Sequence, residues 1–121
     1  MSRTTTKYTC EYLKYLKKRL NTFVETRNWK KFHTPKNAAI NLILEASEVL
    51  ELFQFTLDND INPRRKNQLA DELADVLYWL LRLADMYNID LLQAFDTKMD
   101  ENEKKYPVEK FKGTNLKYNE K

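Results

Sequence analysis

The chain has 121 residues, a net charge of +3, one Cys, one His, one Gly and three Pro, and is rich in Leu, Lys, Glu and Ala. That length predicts a single domain spanning 1–121, and the scarcity of Gly and Pro predicts an all-α fold. One cysteine excludes an internal disulfide and a Cys-based zinc site and fits a reducing, cytoplasmic setting, with Cys10 an inert, partly buried thiol. No apolar run approaches a membrane span, Met1–Tyr8 lacks the apolar stretch of a signal peptide, and lysines spread along the chain do not favour nucleic acid as a partner.

Four helices are readable in order. The first runs roughly from Lys7 to Arg27, with Tyr12, Leu13, Leu16, Leu20, Phe23 and Val24 at helical spacing. The second opens at Thr34-Pro35, a capping residue before a proline in the first turn, and continues to about Phe55. Asn62-Pro63 repeats the start signal, so a third helix runs from there to about Tyr87, with Asn88 in the left-handed closing position. Asp90 caps the fourth, with Gln93 three residues on as in a capping box. This helix fades before Tyr106-Pro107. Val108–Lys121, with the lone Gly113, is expected to be an irregular, flexible tail.

Two acid pairs stand out. Glu45 and Glu48 are spaced i, i+3, as are Glu72 and Asp75, so each pair projects from neighbouring helical positions. On a wheel of the second helix, Leu42, Ala46, Val49, Leu50 and Phe53 form the expected core stripe. Ser47, Glu51 and Gln54 form a polar strip. Glu45 and Glu48 lie on neither, sharing a third sector with Asn41, Leu52 and Phe55. On the third helix, Leu69, Leu73, Val76, Leu77, Leu80 and Leu83 form the expected core stripe, and Asp71, Tyr78, Arg82 and Asp85 the polar side. Glu72 and Asp75 sit at the boundary. Acid pairs of this spacing usually just face water, so one pair alone would carry little. Two pairs off the polar strip, on helices packed antiparallel through a short loop, would bring four carboxylates together. They would repel unless divalent cations bridged them, and all-oxygen ligation favours Mg²⁺ or Mn²⁺ over Zn²⁺.

Other residues are weaker by themselves. Lys98, Asn102 and Lys105 recur at i, i+4, i+7 beside Leu91 and Phe95. They suit phosphate and sugar contact, or simply snorkelling at a core edge. His33, the sole histidine, excludes a histidine-rich metal site and reads alone as a loop or capping residue. Trp29 and Phe32 suit base stacking or an ordinary core. No Gly-rich phosphate loop exists, so a triphosphate would be held by metal and by Lys or Arg.

The run Arg27-Asn28-Trp29-Lys30-Lys31-Phe32-His33-Thr34-Pro35-Lys36-Asn37, continuing to Leu44-Glu45-Ala46-Ser47-Glu48 and Glu51-Leu52-Phe53-Gln54-Phe55, resembles the MazG-like all-α nucleotide pyrophosphohydrolases. The dCTP pyrophosphatase branch is the nearest. Asp71-Glu72-Leu73-Ala74-Asp75-Val76, then Lys98-Met99, Asn102 and Lys105-Tyr106-Pro107-Val108, then Lys112-Gly113 and Lys117-Tyr118, resemble later elements of that branch in order. The likeness covers nearly the whole chain after the first helix. It implies a four-helix MazG-like bundle assembling as a homodimer or homotetramer. It implies Mg²⁺-dependent hydrolysis of a (deoxy)nucleoside triphosphate, dCTP or a related or modified pyrimidine nucleotide, to the monophosphate and pyrophosphate. It implies metal at Glu45, Glu48, Glu72 and Asp75. Trp29, His33 and Asn37 would lie by the pocket, Phe55 and Trp79 would form aromatic walls, and Lys98, Asn102 and Lys105 would contact sugar or phosphate. Three positions depart from the branch: Phe55 replaces Trp, Trp79 replaces Tyr, and Leu20 stands where a His is expected near the base. The competing class is a non-catalytic helical interaction module. Within enzymes, the competitor is a hydrolase of nucleotide sugars or modified bases.

Overall fold

The computed structural model describes residues 3–56 and 62–120, with side chains described from Glu11 onward. Cys10's side chain and part of the expected loop between the second and third helices, 57–61, lie outside the described residues. Every regular element among the described residues is helical. The α-helices are α1 (Arg3–Thr26), α2 (Pro35–Glu51), α3 (Lys66–Met86), α4 (Leu91–Lys105) and α5 (Val108–Phe111). Three 3-10 turns cover Lys30–Phe32, Pro63–Arg65 and Tyr118–Glu120. The chain divides into two compact units, Met1–Asn88 and Ile89–Lys121. No described helix is long and apolar enough to cross a membrane.

The expected caps hold. Thr34 Oγ1 accepts from the Asn37 backbone N–H at 3.2 Å, with Pro35 in the first turn of α2. Asn62 Oδ1 accepts from Arg64 N–H at 3.0 Å, and Asp90 Oδ1 from Gln93 N–H at 3.1 Å. Asn88 is left-handed, φ 53°, as expected at the end of α3. We predict that Thr34→Ala costs about 1 kcal/mol in urea unfolding, because it orphans one helix donor, and that Thr34→Ser restores most of it.

Boundaries shift for local reasons. The second helix stops at Glu51 rather than Phe55: the N–H groups of Leu52, Phe53 and Gln54 bond three residues back, and Phe55 adopts φ 65°. A residue in that region ends a right-handed helix. The Asn62-Pro63 start gives a 3-10 turn before α3 begins at Lys66. Much of the tail expected to be irregular is ordered into α5 and the last 3-10 turn. Tyr106 makes edge contacts with Phe111 at 5.0 Å and Tyr118 at 6.2 Å between ring centroids.

Among the described residues of the first unit, the fully covered apolar side chains are Val24 of α1, Ala38 of α2, and Leu81 and Ala84 of α3. α2 packs chiefly on α3. The pairing is antiparallel: Arg65, at the start of α3, donates to Leu52 O at the end of α2 (3.5 Å), while His33, before α2, meets Trp79 late in α3.

Both expected core stripes need correction. On α2 the covered line is Ala38, Asn41, Leu42, Glu45 and Val49, continuing to Leu52, while Ala46 is exposed and Leu50 is 70 % exposed. The covered line takes Leu42 and Val49 from the expected core stripe and Asn41, Glu45 and Leu52 from the acid-bearing sector, so the face toward α3 straddles the two. On α3, Leu73, Leu77 and Leu80 are exposed, while Arg82, expected on the polar side, is 4 % exposed. A wheel ranks faces by composition, but the neighbouring helix decides which face is covered. Here the covered face of α2 runs along the border of two sectors rather than down either one.

Candidate active site

Local chain geometry builds the site's upper wall. Asn28, at φ 54°, closes α1: its N–H bonds to Glu25 O and that of Trp29 to Val24 O, the paired bonds of a Schellman end. The 3-10 turn that follows delivers His33, whose N–H bonds to Lys30 O at 3.1 Å. The Asn37 side chain then ties the turn down by donating to Phe32 O at 3.2 Å. Trp29 and His33 thus belong to one short connection between α1 and α2, tied down by Asn37 in the first turn of α2.

A line of rings runs inward from it. Trp29 meets Phe23 edge-on at 5.7 Å, Phe23 meets Tyr78 at 6.4 Å, Tyr78 meets Trp79 at 4.8 Å, and Trp79 meets His33 at 4.9 Å. Edge-to-face geometry of this kind adds to simple burial. Burial, and then the nearby Arg82 guanidinium, pull the His33 imidazole below its ordinary value. Burial pushes the Tyr78 hydroxyl up, with Arg82 and Arg27 drawing it back down and Asp75 pushing it further up.

The acids come together as their spacing requires. One carboxylate oxygen each from Glu45, Glu72 and Asp75 lie within 4.8 Å of one another. Glu48 joins them by a carboxyl–carboxyl hydrogen bond to Glu72, which with burial and the charges of Glu48, Glu45 and Asp75 pushes Glu72 up to about 7. Glu45 is also raised, by burial first, then by a hydrogen bond and charge from Glu48 and charge from Asp75. Oε2 of Glu45 and Oε2 of Glu72 are cut off from water and have no hydrogen-bond partner. Unpaired buried carboxylate oxygens facing other carboxylates are unfavourable without a compensating cation. The donors are hard oxygens at short range, a set that suits Mg²⁺ or Mn²⁺.

The remaining expected residues are placed differently. Trp79 is half-buried in the ring line, whereas Phe55 is 92 % exposed at its left-handed position. In the second unit, Lys98 pairs with Glu101 at 3.4 Å, Asn102 O accepts from Tyr106 N–H at 2.9 Å, and Lys105 Nζ lies 5.1 Å from the Tyr118 ring centre. Sequence reasoning missed two neighbours of the site, Tyr78 and Arg82. Their signal was an ionisable side chain repeated at i, i+4 within the Leu-rich run of α3. A groove of about 390 Å³ between α1 and α3 reaches Asp75 and Tyr78 and is lined by Leu16, Leu20, Phe23 and Leu81 among others.

Comparison with known proteins places the chain in one family. The profile of the MazG-like family matches residues 40–120. The chain is 39 % identical to mouse dCTP pyrophosphatase 1 over 101 residues, covering 79 % of this chain and 59 % of that protein. It is 37 % identical to the human protein of the same name over 103 residues, covering 81 % and 61 %. The chain therefore spans about three-fifths of these curated relatives. Among solved structures, a pyrophosphatase from Archaeoglobus fulgidus superposes with a TM-score of 0.76 at 41 % identity, covering 79 % of this chain and 93 % of that one.

Proposed function

This chain belongs to the MazG-like family, and on that premise we propose that it hydrolyses a (deoxy)nucleoside triphosphate to the monophosphate and pyrophosphate. The substrate class is dCTP or a related or modified pyrimidine nucleotide, since the curated relatives are dCTP pyrophosphatases. One observation carries the reading: the acid pairs of α2 and α3 converge, and two of their oxygens are buried without partners.

Glu45, Glu72 and Asp75 would hold Mg²⁺ with Glu48 beside them. A divalent cation there supplies charge neutralisation for the triphosphate and acidifies a water. Glu48 is exposed and lies outside the tight trio, so we assign it to orient the attacking water and take its proton. The water oxygen bonds to the α-phosphorus as the bond from that phosphorus to the bridging oxygen breaks, and pyrophosphate leaves with the electron pair. Trp29, His33, Asn37 and Trp79 are assigned to the nucleoside, with Phe55 as a further aromatic contact. Lys98, Asn102 and Lys105 are assigned sugar and phosphate contact from their chemistry alone. The uncovered Ile40, Ile43, Leu44 and Leu50 of α2, with Leu73 and Leu77 of α3, support assembly as a homodimer or homotetramer. A nucleotide-pool reaction would place the enzyme in the cytoplasm, with 1–121 working as one domain.

The test is pyrophosphate release from a panel of dNTPs, NTPs and base-modified pyrimidine dNTPs, with Mg²⁺ and with EDTA. The proposal expects Mg²⁺-dependent release, fastest with a pyrimidine deoxynucleotide. No release from any of them at high enzyme concentration would return the chain to the interaction-module reading.

A further inference from the structure

Arg82 is 4 % exposed, and its recorded hydrogen bond is from Nη1 to Asn21 Oδ1 of α1, at 3.2 Å. Its Nε is buried without a partner, and so is Nδ1 of His33. A buried guanidinium held by a neutral amide is costly to keep, so packing alone does not account for it. Trp79 links the two groups. It meets the His33 ring at 4.9 Å and stands three residues before Arg82, a neighbouring position on α3.

A cation near a half-buried imidazole whose Nδ1 is cut off from water has two consequences. It disfavours the imidazolium. It also adds to the preference for a lone pair over an N–H on the buried Nδ1, because an N–H there would have no acceptor and a positive charge nearby. We propose that Arg82 is a positioning residue that, anchored by Asn21, fixes His33 as a neutral imidazole with its proton on Nε2. His33 then offers a single donor suited to an uncharged part of the nucleotide, its base or sugar. That last clause rests on the proposed hydrolysis; the state of the imidazole does not. Tyr78 is the ionisable side chain next to Trp79 in the ring line, and Lys30, Lys31 and Lys36 lie near His33 in sequence, while burial and Arg82 are the two influences that lower it.

The sole histidine makes a clean probe. Nitrogen-15 NMR titration of the full chain is expected to show His33 titrating below the ordinary value of about 6.5, with the neutral form protonated on Nε2. Arg82→Met should raise the midpoint by about half a unit or more and mix the tautomers, whereas Arg82→Lys, which keeps the charge, should leave the midpoint low. An unchanged midpoint and tautomer in folded Arg82→Met would overturn the proposal. If that variant does not fold, Asn21→Ala frees the guanidinium while keeping its charge. Mixed tautomers are then expected, and an unchanged Nε2–H form would overturn the anchoring. None of these readouts needs turnover, so they succeed or fail separately from the hydrolytic reading. For the donor role, KM of Arg82→Met should become pH-dependent between about pH 6 and 8 while kcat changes less. Identical KM profiles would remove that role.

Discussion

Glu48→Ala is expected to lower kcat for pyrophosphate release by about 10³-fold, the range for loss of a positioned general base, while leaving the protein folded. The side chain is exposed, so its removal opens no cavity. What it removes is a carboxylate whose hydrogen bond and charge raise both Glu45 and Glu72. The cation-free variant should therefore be at least as stable as the native protein at pH 8, because one source of like-charge repulsion has gone. Stability held or gained with activity lost is the signature of a residue kept for function rather than for folding. Thermal unfolding and pyrophosphate release measured on the same preparation check both halves. A variant that turns over normally would remove Glu48 from the mechanism. Glu51→Ala, on the same helix but on the polar strip, is the control and should leave turnover within about twofold.

The second large effect is on stability and concerns the cation directly. Glu72 stands at about 7 in the folded chain against an ordinary 4.5. A carboxyl raised by folding binds its proton more tightly in the native state. Its stabilising contribution is complete below about pH 4.5 and is lost as pH rises through about 7. Without divalent cation the protein should therefore become less stable between pH 5 and 8, the reverse of a carboxylate held by a salt bridge. Glu45 is shifted in the same direction and adds to the trend. Mg²⁺ at about 100 times its dissociation constant should restore about 2.7 kcal/mol, a rise in Tm on the order of 10 °C at pH 8. The same addition should do little at pH 5, where protons compete for the oxygens. Differential scanning calorimetry in EDTA and in Mg²⁺ across that range measures it. A flat EDTA profile together with no response to Mg²⁺ would mean that the four acids neither repel nor bind metal.

Much of this was legible in the sequence because it depends on local chemistry. Thr34-Pro35, Asn62-Pro63 and Asp90 mark helix starts through side-chain oxygens that reach backbone donors two or three residues away, so no tertiary information is needed. The acid pairs were visible for the same reason, since i, i+3 spacing fixes their side of the helix. What failed depends on neighbours. Which part of α2 is covered is decided by α3, so Glu45 was read as lying on a third face when it shares the covered line with Leu42 and Val49. Arg82 was read as surface because its helix wheel is amphipathic, yet its partner Asn21 lies 61 residues away. Phe55 reads as the end of a helix, and its left-handed backbone carries no sequence mark of the kind a glycine gives. The tail's helical turn depends on Tyr106 gathering Phe111 and Tyr118, contacts that composition alone does not announce.

The most direct test of the account is where the oxygen of water ends up. Turnover of dCTP in ¹⁸O-labelled water with Mg²⁺, followed by mass spectrometry of the products, distinguishes the phosphorus attacked. Attack at the α-phosphorus predicts one ¹⁸O in the monophosphate, unlabelled pyrophosphate and no reaction in EDTA. Label in pyrophosphate, release of orthophosphate from the intact triphosphate, or turnover that survives EDTA would contradict it.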